Sequence, residues 1–310
     1  MDSYKSLWAK KQEVNGKFEW MPLYVHLFDT KNVSALLWEY WLSDSQKNLI
    51  IKSIEDGNEE IAKNLVVFLG SVHDIGKATP AFQIKKGFSN SEDLDKMLKE
   101  QLEDSGFFGI SSKSLPSINK SHHSLASEYI LYKFGVKEDI GSIIGAHHGK
   151  PVDLISTVIN QSAYESNYYQ EELNSSNIYK LWEQTQEEIL QWALHASNFE
   201  SIDDLPEINK VGQVILTGLL IMADWISSNT KYFPLFSIYD DIDLNLDTRG
   251  SNGFFKWYKT EVWQASYNFD YKETFKNRFT FFPNAHQQRF IETIDKVDDP
   301  GIFIFEAPMG

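Results

Sequence analysis

His73 and Asp74 stand side by side, and Lys77 follows one helical turn later. An imidazole next to a carboxylate is a ligand pair for a divalent transition metal. The pair closes an apolar run, Ile61, Leu65, Val66, Phe68, Leu69 and Val72, that follows helical spacing. Gly76 reads as the stop of that helix, since glycine accepts a left-handed turn. Four more histidines fall on or at the ends of apolar runs: His26, His123, His147 and His148. Asp224 sits near the end of another. A lone buried histidine is more often a hydrogen-bonded core residue, but a buried aspartate on an apolar helix is costly unless it is paired or holds a metal. Neighbouring residues on a helix point about 100° apart. His147 and His148 can therefore serve one cluster only from a helix end, and Gly149 marks one. Seven such residues on helices that must pack together point to a divalent-metal centre. His195 and His286 lack such a setting and read as ordinary polar residues; His122, beside His123, stays open as an alternative ligand.

The composition limits what that centre can be. There is no cysteine, so disulfides, thiol catalysis, cysteine-held iron–sulfur clusters and zinc–thiolate sites are excluded. The 29 Lys and Arg against 44 Asp and Glu give a net charge of −15. Binding nucleic acid over a broad face needs clustered basic residues, and the arginines are only Arg249, Arg278 and Arg289. Any positive charge for a phosphate must be local, and bound metal ions are one source. The polar start from Met1 to Lys17 has no signal-peptide pattern. No apolar run approaches the length of about 20 residues that a membrane helix needs. A cytoplasmic protein without a membrane partner is expected.

These residues need helices to position them. Residues 1–21 read as a polar segment. Pro22 opens a helix carrying His26, and the aromatic-rich pattern continues through Val33–Trp41 and Ile50–Ile54. Residues 83–120, rich in turn signals such as Lys85-Lys86-Gly87 and Ser89-Asn90-Ser91, read as a surface insertion with one helix around Leu94–Leu102. His123, Ala126, Ser127 and Ile130 share a helical face; Ile140, Ile143, Ile144 and His147 share another. Tyr179–His195 and Val211–Ser228 are further helices, the latter carrying Asp224. Residues 234–279 show no clear period. An amphipathic helix over 285–294 and a turn at Asp298-Asp299-Pro300-Gly301 then precede an apolar run, 301–305, of buried-strand length.

In this order, a histidine, His-Asp with its lysine, a histidine, His-His and a final aspartate resemble the HD phosphohydrolase superfamily. The stretches His73–Gln83, His147-His148-Gly149 and Ala223–Asn229 resemble more specifically the nuclease domain of the CRISPR-associated helicase-nuclease of type I systems. Pro283 with Gln287 resembles the glutamine motif of superfamily 2 helicases, and Phe305–Gly310 the start of their phosphate-binding loop. The resemblance implies an all-α HD-domain bundle over 1–235, a linker over 236–280 and the start of an α/β helicase motor over 281–310.

The resemblance also implies roles. One metal would take His26, His73, Asp74 and Asp224; a second would take His123, His147 and His148 and share Asp74. His123 is preferred over His122 because Ser127, four residues on, matches the family's small residue. Asp74 would bridge two cations about 3.5–4 Å apart in two-metal phosphodiester hydrolysis. Histidine-rich ligands favour Mn, Fe, Co or Ni, with Mg possible. Lys77 would sit by the scissile phosphate as a catalytic residue. Ser227, Ser228 and Asn229 would either contact the nucleic-acid backbone or cap their helix. The implied partners are single-stranded DNA, an RNA-guided surveillance complex and a helicase motor in cis.

Overall fold

The computed structural model describes residues 3–87, 91–152, 154–242, 245–261, 270–297, 302–304 and 306. It divides into two units, Met1–Thr260 and Glu261–Gly310.

The first unit is the expected helical bundle, with one addition at its start. Residues 8–22 are not an irregular polar segment but a β-hairpin, β1 (Trp8–Val14) and β2 (Lys17–Pro22). The turn between them is Asn15-Gly16, with φ of 53° and 74°. Two successive positive φ values make the mirror-image turn whose twist matches that of the flanking strands, and Asn-Gly is its favoured sequence. A short third strand, β3 (Phe236–Ser237), adds antiparallel to β2.

The helices follow in order: α1 (Leu23–Tyr40), α2 (Asp44–Ile51), α3 (Glu59–Val72), α4 (Pro80–Gln83), α5 (Glu92–Asp104), α6 (His123–Lys133), α7 (Glu138–Gly145), α8 (Ile155–Ile159), α9 (Glu165–Tyr169), α10 (Asn177–Ala196), α11 (Lys210–Ser227) and α12 (Leu246–Glu261). Their starts are chemically marked. Asn58 accepts from the Ile61 amide and Glu59 and Glu60 fill the first turn of α3, which satisfies orphan amides and complements the helix dipole. Asn209 does the same for α11, accepting from Val211 and Gly212.

α1, α3 and α11 form the centre, burying Leu37, Trp38, Leu65, Phe68, Val72, Leu220 and Ala223 in one cluster. Gly70 on α3 allows the close crossing, because a Cβ there would collide with Ser34 of α1. α11 is long and apolar enough by composition to cross a membrane, yet it packs as a core helix against α1, α3 and α7. The 83–120 segment is less peripheral than its turn signals suggested. Leu94, Leu98 and Leu102 of α5 are buried, as are Phe107 and Ile110 after it. Ser89 and Asn90 lie outside the described residues.

The first unit also runs past the expected limit at 235. Phe254 of α12 is fully buried in the same core. Arg249 reaches back to α1, where its Nε lies 2.9 Å from Oδ2 of the buried Asp29. The second unit, taken by itself, has α13 (Tyr271–Phe279) and α14 (Ala285–Ile294). Gln287 caps its own helix, accepting from the Asn284 amide at 2.9 Å. The strand expected over 301–305 is not formed at 302–304, where Ile302 and Ile304 are exposed. A strand needs a hydrogen-bonding neighbour, and these residues have none among those described. The turn at 298–301 and the phosphate-loop residues 305 and 307–310 lie outside the described residues.

Candidate metal centre

Four helix ends and one turn meet at Asp74. His26 comes from the first turn of α1 and His73 and Asp74 from the end of α3. His123 opens α6, His147 and His148 lie in the turn after α7, and Asp224 is in the last turn of α11. All seven come together.

The two oxygens of Asp74 face different partners. Its Oδ2 lies 2.9 Å from His26 Nε2, 3.3 Å from His73 Nε2 and 2.6 Å from Lys77 Nζ. Its Oδ1 lies 3.5 Å from His147 Nε2 and 3.7 Å from His123 Nε2. Asp224 Oδ1 closes the first group, 3.4 Å from His26 and 3.6 Å from His73. In the second, His123 and His148 point their Nε2 atoms at each other 2.6 Å apart. Within each of two groups, His26–His73–Asp74–Asp224 and His123–His147–His148, one ligand atom per residue falls within 4.8 Å of the others. Of the adjacent pair, His123 joins the cluster, while the His122 Nδ1 pairs with the Ser124 hydroxyl at 2.9 Å.

The donor set fits divalent cations. His73 and His147 each aim Nδ1 at a backbone carbonyl, Gly70 O at 3.1 Å and Ile144 O at 2.6 Å. An imidazole that donates through Nδ1 leaves its Nε2 lone pair free, the arrangement metal-binding histidines use. The Nε2 atoms of both, and Oδ1 of Asp74, are buried with no hydrogen-bond partner among the described residues. Buried polar atoms left unpaired are costly, and a cation would satisfy all three.

The electrostatics agree. Burial pushes His123 down to about 2 and His148 down to about 4, so both stay neutral and able to coordinate. Burial opposes ionisation of Asp74, but Lys77 and His73 outweigh it and hold the carboxyl well below the usual range. Burial likewise opposes charge on His73, yet Asp74 and Asp224 outweigh it and raise it to about 9. The two carboxylates thus create a strong demand for positive charge beside His73.

One glycine and three serines explain how the pieces lock. Gly76 does not adopt the left-handed turn expected of it; its φ is not among the positive ones. It is small because α6 lies against it. A Cβ there would collide with the His123 carbonyl and the Ser127 amide. The Gly76 amide instead donates to Ser127 Oγ at 2.8 Å. Ser228 Oγ donates to Asp224 Oδ1 at 2.8 Å. Ser227 is buried and its hydroxyl pairs with Thr30 Oγ1 at 2.8 Å. Of the two roles expected for Ser227, strand contact or helix cap, the inward hydroxyl favours the cap: it ties α11 to α1 and also donates to the Asp224 carbonyl at 3.1 Å. Asn229 remains exposed.

One residue here was missed from the sequence. Lys10 of β1 donates from Nζ to the Ser228 carbonyl at 2.7 Å. Burial, then Lys77, lowers its amine to about 8, with Asp224 and Asp74 pulling the other way. The Asn15-Gly16 turn signal would have revealed the hairpin that carries it.

Comparison with known proteins decides the family. The family described as "Cas3, HD domain" matches residues 8–233. The chain belongs to this family. It is 51% identical to the CRISPR-associated nuclease/helicase Cas3 of Streptococcus thermophilus over 98% of this chain and 33% of that protein. The chain thus spans about a third of the curated relative's length. Two solved structures share the fold. A CRISPR-associated protein matches 92% of this chain and 31% of its own at TM-score 0.60 and 20% identity. The Thermus thermophilus Cas3 HD domain, solved in the presence of Ni2+, matches 84% of this chain and 91% of its own at TM-score 0.50 and 20% identity. All seven clustered residues, from His26 to Asp224, fall inside the stretch matched to the Cas3 HD family.

Proposed function

We propose that this chain is a metal-dependent nuclease module that hydrolyses phosphodiester bonds of single-stranded DNA in an RNA-guided antiviral system of the cytoplasm. The observation that carries the reading is the split of Asp74, whose two oxygens each face a different histidine group. His26, His73, Asp74 and Asp224 would hold one divalent ion. His123, His147 and His148 would hold a second, sharing Asp74. Such ions, when bound, supply Lewis acidity to the phosphate and lower the pKa of the attacking water. Mn, Fe, Co or Ni suits the histidine-rich set better than Mg, and the Ni2+ used with the Thermus thermophilus domain supports that preference.

The chain's own groups do the positioning. Lys77, only 7% exposed and paired with Asp74, keeps a cationic donor beside the reacting phosphate. Ser228 fixes the rotamer of Asp224, and Asn229 offers an exposed amide to the strand. The relative named as a nuclease/helicase supports a helicase motor in cis, with residues 281–310 as its start; an RNA-guided surveillance complex is the partner this reading implies.

The test is cleavage of circular single-stranded DNA with Mn, Ni, Co and Mg in turn, by wild type and by Asp74→Ala. Wild type should cut with the transition metals and the variant should not. Equal cutting by both, or cutting without added metal after chelation, rejects the reading.

A further inference from the structure

Lys10 is held at the metal centre by the fold rather than by a charge. Gln83 clamps β1 to the Lys77 segment through four hydrogen bonds. The Trp8 amide donates to its Oε1 at 3.1 Å and the Trp8 indole to its carbonyl at 3.1 Å. Its own amide donates to the carbonyls of Trp8 at 2.9 Å and Lys77 at 2.8 Å. Two residues along the strand, Lys10 crosses to the Ser228 carbonyl just beyond α11.

What Lys10 lacks is as informative. Lys11 pairs with Asp95 at 2.7 Å and Lys77 with Asp74 at 2.6 Å. Among the described residues no carboxylate lies within ion-pair distance of Lys10. One of its three donors is spent on a carbonyl, and two N–H groups remain. The nearby charges are Asp74, Asp224 and Lys77. With Lys10 these sum to zero, and two divalent ions would make the group strongly positive. A half-buried ammonium is a poor structural choice in such a place, because like charges repel strongly where water is scarce. It becomes favourable when an anion arrives.

We propose that Lys10 is a substrate contact, its ammonium binding a backbone phosphate of a polynucleotide next to the phosphodiester that is cut. The assignment rests on the nuclease reading above. It adds a preference for a chain of nucleotides over a single one, since a mononucleotide has no neighbouring phosphate.

The 310-residue chain loaded with Mn2+ tests this, with Lys10→Ala and Lys10→Arg compared on a single-stranded oligonucleotide. A charge-assisted hydrogen bond contributes about 1.5–3 kcal/mol, so Lys10→Ala should raise KM about tenfold or more, with a much smaller fall in kcat. Each phosphate contact on a single strand contributes about 0.7 to the slope of log affinity against log salt. That slope should flatten by about this amount in Lys10→Ala and be kept in Lys10→Arg. Bound Mn2+, measured by elemental analysis, should match wild type. Loss of metal in Lys10→Ala would overturn the proposal in favour of Lys10 merely bracing Ser228 and Asp224. An unchanged KM and salt slope would overturn it as well. If wild type itself fails to cut, the nuclease reading falls and this one with it.

Discussion

Asp74 is the residue on which the centre turns, because among the described residues it is the carboxylate whose oxygens lie within 4 Å of nitrogens in both histidine groups. That makes a graded set of substitutions informative. Asp74→Asn keeps the size and removes the charge, and it should strip both ions from the protein. His148→Ala should release one and leave the His26–His73–Asp224 group occupied. The measurement is metal content after dialysis against a weak chelator, with about two ions expected for wild type, one for His148→Ala and close to none for Asp74→Asn. Equal losses in the two variants would mean a single shared ion. The seven clustered residues stood out by their setting, since buried histidines and aspartates on apolar helices are expensive enough to demand a reason, while their division into two ion sites and the choice of His123 over His122 came from the family resemblance. Lys10 was not readable that way. A lysine in a short strand looks like any solvated lysine until the fold shows its ammonium on the Ser228 carbonyl, beside the metal centre.

At the scale of elements, the site depends on how closely α6 approaches the turn after α3. Gly76→Ala puts a methyl group into the His123 carbonyl and the Ser127 amide. Backbone rather than a flexible side chain must then move, so a loss of about 1–3 kcal/mol is expected. It should appear as a lower urea midpoint together with weaker metal binding, because His123 rides on the displaced helix. The sequence marked Gly76 as special but for the wrong reason, since a helix stop and a close helix contact both call for glycine. α6 and α7 meet at a second sensitive point. Glu128 on α6 is buried against Gly145, its Oε2 has no partner among the described residues, and burial raises its carboxyl to about 7 from an ordinary 4.5. A raised carboxyl favours folding only while protonated. Its cost is absent below the ordinary value, grows as pH rises toward about 7 and is complete above it, reaching at most about 3 kcal/mol. Glu128→Gln removes the ionisation. It should raise the melting temperature at pH 8 and change it little at pH 4.5; the same shift at both pH values would count against a buried carboxyl.

On the proposed function, a chain with a net charge of −15 has to hold a polyanion. The first unit needs residues beyond 235 to be complete, since Arg249 neutralises the buried Asp29. Breaking a buried pair from one side costs about 3–5 kcal/mol, so Arg249→Met should lower the urea midpoint even though it lies outside the cluster of ligands. That arginine is occupied inside the fold and cannot serve DNA. Among the described residues, the cations at the centre include Lys77, Lys10 and Lys85, whose Nζ lies 5.3 Å from the Phe82 ring centre. Single-strand binding loses affinity with salt at a slope of about −0.7 per phosphate neutralised, so three lysines give a slope near −2. Oligonucleotide binding by this chain, followed by fluorescence anisotropy across a salt series, should therefore be weak and shallow in its salt dependence. A slope steeper than about −5 would require an extended basic surface, which neither the sequence nor the described residues provide. A shallow slope has a mechanistic consequence. On the proposed function, the centre would hold a strand locally and cut it, while sustained grip would come from elsewhere, as in a module that works on a strand delivered to it.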